Sequence, residues 1–276
     1  MKTAFSLVLP TADYPELLAA VAEAGFDGVE PTFHPNGIPS PERFRDEATA
    51  LRKESDRLGL TIPSLRGGPL FWPLFGSANP KDRRRAVELA RQALEALRIM
   101  GGDVLLVVPG RWDKGHSYFQ LWDYCLDTAR MIADVAAEMK LTVGLENVES
   151  RFLFSPREWR EFIDTVGNPH LRVYFDPGNI VYLDLGHPGA WIRDLGSRIC
   201  RVHMKDSRNG AEGVRKSQEV VPLLAGNVEW PDIVKALKDI GYDSWLSAEL
   251  PLPKTGWREF LKETAEKMRR IWSGTI

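Results

Sequence analysis

A chain of 276 residues, 43% of them hydrophobic, can bury a large core either as two small domains or as one α/β barrel. Its formal net charge is −2, with 36 basic and 38 acidic residues interspersed, so it offers no basic patch for nucleic acid and no charged tail for docking. No stretch approaches the roughly 20 apolar residues of a membrane span, which leaves a small molecule as the expected partner.

The opening MKTAFSLVLP begins like a secretory leader, but Pro10 cuts the apolar run and no small-residue cleavage site precedes the first helix, so it is read as a strand. FSLVL then leads to the helix YPELLAAVAEAG, GVEPTF to PERFRDEATALRKESDRLG, and TIPSLRG through the apolar loop GGPLFWPLFG to DRRRAVELARQALEALRIMG. DVLLVVPG leads to FQLWDYCLDTARMIADVAAEMK, TVGLENV to SPREWREFIDTVG, RVYFDPGN to the short PGAWIRDLG, CRVHMKD to WPDIVKALKDIG, and SWLSAEL to WREFLKETAEKMRRIW. The helical stretches carry apolar residues at three- and four-residue spacing, and Gly25, Gly59, Gly101, Gly167 and Gly241 stand where C-cap glycines belong. Strands alternating with helices imply a parallel sheet, and eight such units in about 250 residues imply closure. The expectation is α/β, a single (β/α)8 TIM barrel over residues 1–276. A doubly wound sheet fits less well, since neither GxGxxG after the first strand nor GxxxxGK[ST] occurs. Cys125 and Cys200, without CxxC or zinc-type spacing, read as reduced core thiols of a cytosolic, cytoplasmic protein.

Barrel enzymes build their sites at the C-terminal ends of the strands. Strands five to eight each end there in a residue able to bind metal: Glu146, Asp176, His203 and Glu249. The separations of 30, 27 and 46 residues correspond to one β/α unit each, the last with a longer loop. Corresponding inward positions on adjacent strands converge, and three converging carboxylates repel unless a cation neutralises them. A ligand set of three carboxylates and one imidazole suits one divalent ion, Mn2+ first, with Mg2+ or Co2+ as alternatives. Taken singly, each residue could cap a helix, form a salt bridge or satisfy the core. Asp176 in YFDPGN poses that choice most sharply, between capping its Pro-Gly turn and holding an ion.

Other positions carry weaker signals. Glu30 ends strand two and either binds a sugar hydroxyl or pairs with an arginine. His116, in the loop after strand four, faces substrate or solvent. Lys205 and Arg208 follow His203, where a cation steadies a substrate oxyanion or, for Lys205, pairs with Asp206. The loop at 67–76, with Phe71, Trp72 and Phe75, is too apolar to lie bare, so it serves as a lid, a homo-oligomer contact or packing on its own barrel.

AEAGFDGVE, GLEN, FDPGN, VHMKD and GNVEWPDIVKALKDIGYDSWLSAEL together resemble the sugar isomerase/epimerase family of xylose isomerase-like TIM barrels. That group includes ketose 3-epimerases, ketopentose-phosphate epimerases, inosose dehydratases and endonuclease IV relatives. The resemblance covers nearly the whole chain and implies that Glu146, Asp176, His203 and Glu249 bind one divalent metal. Asn179, Phe152 and Asn209 stand where ketose 3-epimerases carry His, Glu and Arg, which points away from free-ketose 3-epimerisation. With Asn179 in place of a histidine and five histidines in all, a trinuclear zinc site for DNA repair does not fit. The expected function is a metal-dependent sugar or sugar-phosphate epimerase or isomerase working through an enediolate, with Glu146 and Glu249 as acid and base. Glu30, Trp72, His116, Asn179, Lys205 and Arg208 are the expected substrate-binding residues. A lyase acting on a keto-sugar or inosose is the alternative, and a noncatalytic sugar-binding subunit a more distant one.

Overall fold

The computed structural model describes residues 1–10, 13–209 and 218–276. Eight parallel strands run β1 (Lys2–Leu7), β2 (Gly28–Pro31), β3 (Ser64–Arg66), β4 (Val104–Val107), β5 (Thr142–Glu146), β6 (Leu171–Phe175), β7 (Ile199–Met204) and β8 (Trp245–Ala248). Their order is β2-β1-β8-β7-β6-β5-β4-β3. The seam between β2 and β3 is held by the single bridges Gly28 to Thr61 and Thr32 to Arg66, so the sheet closes as the expected (β/α)8 barrel. Helices surround it, among them Tyr14–Glu23, Phe44–Leu58, Pro80–Met100, Tyr118–Met139, Pro156–Val166, Trp230–Asp239 and Trp257–Ser273.

Local chemistry explains the helix boundaries. Ser117 with Gln120 and Ser155 with Glu158 form reciprocal capping boxes that satisfy otherwise orphaned amides. The five glycines read as helix terminators all have positive φ. Between helices and sheet the core is continuous and apolar, with Leu18, Leu51, Leu97, Ile132, Phe162, Ile192 and Leu261 nearly or wholly inaccessible.

Two features of the sheet set the mouth of the barrel. The β6–β7 register slips between Val173 and Tyr174, pairing Val173 with Ile199 but Tyr174 with Arg201. Continued without the slip, that register would set Asp176 opposite Val202 and turn His203 toward the helices, because side chains alternate along a strand. The bulge therefore aims His203 inward. Gly178 is the second feature, since a Cβ there would lie 2.4 Å from the Lys205 carbonyl oxygen. Any side chain at 178 would force apart the turn after β6 and the end of β7.

The VHMKD motif also shapes the following connection. The buried Asp206 carboxylate accepts hydrogen bonds from the Leu224 and Val228 amides and from Trp230 Nε1, at 2.9, 3.2 and 3.1 Å. It thus collects the far end of a long loop at the helix beginning with Trp230. Asp206 is occupied in this way, so the pairing with Lys205 considered from sequence does not occur. Asp206–Arg208 pairs antiparallel with Glu219–Val221 in a short ribbon.

Candidate active site

The four strand-end residues converge. Glu146, Asp176, His203 and Glu249 each offer one ligand atom within 4.8 Å of the others. They do not stand at one level of the sheet. Glu146 is opposite Tyr174, two residues before Asp176, and His203 is opposite Ser247, two residues before Glu249. A two-residue step preserves side-chain direction, so strand stagger brings the set together while all four stay inward.

The surroundings of each residue differ. Asp176 both caps and faces the cluster: Oδ1 accepts from the Asn179 amide at 3.1 Å, starting the short helix Pro177–Tyr182, while Oδ2 lies 3.0 Å from Lys205 Nζ. Asn147 zips β5 to β6 by accepting from the Asp176 amide at 2.8 Å and donating to its carbonyl at 2.7 Å. His203 Nδ1 is 2.9 Å from Glu146 Oε1 and 3.5 Å from Glu249 Oε2. Glu249 is flanked by two cations, with Arg66 Nη1 on Oε1 and Lys205 Nζ 2.5 Å from Oε2.

These contacts set the charges. Burial, and then the Glu249 charge, push the Glu146 carboxyl up, against the pull of His203 and Lys205. Burial also pushes Asp176 up, with the Lys205 charge opposing it. For Glu249 burial acts in the same direction but is outweighed by Lys205, His203 and Arg66, which hold it well below the usual carboxylate range. Burial would lower the His203 pKa, yet Glu30, Glu249 and Glu146 together raise it well above its ordinary value.

The structure redistributes the remaining expected residues. Lys205 lies at the mouth and, with Ser6, Arg66, Glu249, Val220 and Leu252, lines a cleft of about 480 Å3 that meets the cluster at Glu249. Glu30, expected to touch sugar or an arginine, is fully buried below the cluster and bonded to His203 Nε2 at 2.8 Å. It is therefore out of reach of a ligand in the cleft. Asn179 is also buried, donating to the Asn147 carbonyl at 2.8 Å and accepting from Lys205 at 3.2 Å, so it supports the loops and the lysine. Arg208 is exposed on the ribbon, paired with Glu219 at 2.8 Å, and does not line the cleft. Trp72 and His116 share a different cleft of about 560 Å3 with Arg111, whose guanidinium lies 5.3 Å from the Trp72 ring centre. Of the apolar loop, Phe71 and Phe75 are wholly buried in the core of their own barrel, Leu70 and Leu74 are half-buried, and Trp72, also half-buried, lines the second cleft with the exposed Pro69 and Pro73. Phe152, at the position where the resemblance offers a glutamate, is buried among Tyr118, Trp122 and Phe162.

Arg66 and Tyr174 escaped the sequence reading. The available signals were an arginine ending strand three in TIPSLRG and a tyrosine two residues before Asp176 in YFDPGN.

The family model described as "Xylose isomerase-like TIM barrel" matches residues 18–271. An uncharacterised protein of Methanocaldococcus jannaschii is 26% identical over 181 residues, which is 63% of this chain and 59% of that protein. D-psicose 3-epimerase of Enterocloster bolteae is 22% identical over 281 residues, covering 93% of this chain and 85% of the relative. Among solved structures, the apo form of 3-keto-D-glucoside 4-epimerase from E. coli superposes with a TM-score of 0.77 at 16% identity, over 99% of each chain.

Proposed function

Because the chain belongs to the xylose isomerase-like TIM-barrel family, we propose that it is a divalent-metal-dependent epimerase or isomerase of a sugar or sugar phosphate. The observation that carries this reading is the convergence of four ligand atoms from adjacent strands within 4.8 Å. The sugar epimerases among its relatives support the same reaction class.

The residues fit a cation. Asp176 Oδ2 and Glu249 Oε2 are buried and accept no aligned hydrogen bond, although Lys205 Nζ is within ion-pair distance of both. The ammonium supplies charge off the hydrogen-bond direction, so both oxygens keep lone pairs for a ligand. Oxygen donors with one imidazole suit Mn2+, Mg2+ or Co2+ better than zinc. Glu146, Asp176, His203 Nδ1 and Glu249 would hold the ion.

When bound, a divalent ion polarises a substrate carbonyl and stabilises the negative charge left by proton removal. The chain supplies the proton transfers. One glutamate takes the proton from the carbon next to the carbonyl and the other returns one from the opposite face, which inverts the centre. Glu146 is the carboxyl disposed to retain a proton, and Glu249 is kept ionised by its two cations. Lys205 and Arg66 face the cleft, where they can neutralise oxyanion character on the substrate.

Two measurements test this. Purified protein should bind one Mn2+ per chain, and a hundredfold excess of free ion over Kd should add about 2.7 kcal/mol of stability. A melting temperature indifferent to Mn2+, Mg2+ and Co2+ removes the metal assignment. A panel of ketoses, ketose phosphates and keto-glycosides in D2O with Mn2+ should show exchange of the hydrogen next to the carbonyl for at least one member. Trp72→Ser should leave KM for that substrate nearly unchanged, because Trp72 lines the second cleft and not the one that holds Glu249; a raised KM would join the two clefts in one substrate site.

A further inference from the structure

We propose that Glu30 is a positioning residue that fixes the His203 ring so that Nδ1 faces the ion, a role that rests on the metal reading above. The two ring nitrogens point to different partners. Nδ1 faces Glu146 and Glu249, whereas Nε2 lies 2.8 Å from Glu30 Oε1. A carboxylate accepts and does not donate, so this contact requires the proton on Nε2 and leaves the Nδ1 lone pair directed at the cluster once a metal binds.

Glu30 is itself held in place. Its second oxygen, Oε2, accepts from Ser64 Oγ and Tyr174 Oη. Tyr174 Oη also lies 3.4 Å from Ser247 Oγ, and its ring centre is 4.5 Å from that of His203. Glu30, Ser64, Tyr174, His203 and Ser247 are all fully buried. They come from β2, β3, β6, β7 and β8, so a polar layer below the cluster ties five strands to one imidazole. A charge buried that deeply is costly unless paired, and every oxygen of Glu30 is paired toward or beneath His203. An outer carboxylate on a ligating histidine fixes its tautomer and raises its basicity, and removing such partners costs about 10- to 100-fold in metal affinity.

The experiment measures Mn2+ affinity by titration calorimetry for wild type, Glu30→Gln and Glu30→Ala, with circular dichroism to establish folding. Nitrogen NMR of the Mg2+-loaded proteins reports which ring nitrogen of His203 carries hydrogen. Glu30→Ala should lose about 10- to 100-fold in affinity. Glu30→Gln, whose amide oxygen can still accept from Nε2, should keep the Nε2-protonated form and recover part of that loss. A purely structural glutamate would lower the melting temperature of the variants and leave the Kd of the folded protein and the tautomer unmoved. A folded Glu30→Ala that binds Mn2+ within twofold of wild type overturns the proposal. If Glu30→Ala does not fold, Glu30→Met, which fills the same space without an acceptor for Nε2, takes its place, and Mn2+ binding within twofold of wild type by that variant overturns the proposal. A wild type that binds none of Mn2+, Mg2+ and Co2+ overturns the metal reading and this role together, so the two failures are distinguishable.

Discussion

Glu146→Gln should lower exchange of the substrate's α-hydrogen with D2O by at least ~10²- to 10⁴-fold from one epimer, the usual loss when a positioned acid or base is removed. Gln keeps an oxygen ligand and nearly the same shape, so Mn2+ binding should persist. What it removes is the basic carboxylate, at the site where burial and the Glu249 charge favour holding a proton. Two bases on opposite faces make a further demand. Glu146→Gln and Glu249→Gln should each block exchange from a different epimer, both should abolish net epimerisation, and the double variant should exchange neither. Substantial exchange in the metal-loaded double variant would sink the two-glutamate mechanism. Glu30 could not then replace them, because it is sealed below the cluster and bonded to His203.

Metal affinity should depend on pH through His203. In the metal-free protein, the charges of Glu30, Glu249 and Glu146 outweigh burial and hold the imidazole protonated well above its ordinary range. A ligating imidazole must be neutral, so binding expels a proton. Affinity therefore falls as pH falls below the raised pKa, by about tenfold per pH unit for the His203 proton, and more steeply at lower pH, where Glu146 and Asp176, raised by burial, also hold protons that binding must expel. His203→Asn should weaken Mn2+ binding by more than the roughly 10- to 100-fold expected for loss of an outer partner, and it should remove one proton from the pH dependence. Excess Mn2+ should restore part of the activity, which separates a ligand from a proton-transfer group. Calorimetry at several pH values, in buffers of different ionisation enthalpy, counts the released protons directly. Equal proton release in wild type and His203→Asn would remove His203 from the binding step.

The barrel and its four convergent residues were legible in the sequence because both depend on local patterns. Alternation of strand and helix, glycines ending the helices, and acidic or imidazole side chains at the ends of strands five to eight are one-dimensional features. Asp176 appeared as a choice between cap and ligand, and its two oxygens divide between the Asn179 amide and the cluster. What the sequence could not supply was contact between residues far apart in the chain. Glu30 and His203 are 173 positions apart, and Arg66 and Glu249 are 183 apart. No periodicity encodes such pairs, which arise from strand tilt and stagger once the sheet closes. The inward aim of His203 likewise depends on the register slip beside Tyr174, which its own strand does not reveal. Sequence determined which residues could reach the mouth of the barrel; tertiary structure decided which face the cleft, as Lys205 and Arg66 do, and which lie beneath it, as Glu30 does. The physical reason is that an inward position on a barrel strand can belong to any layer, and only closure fixes the layer in which each side chain lies.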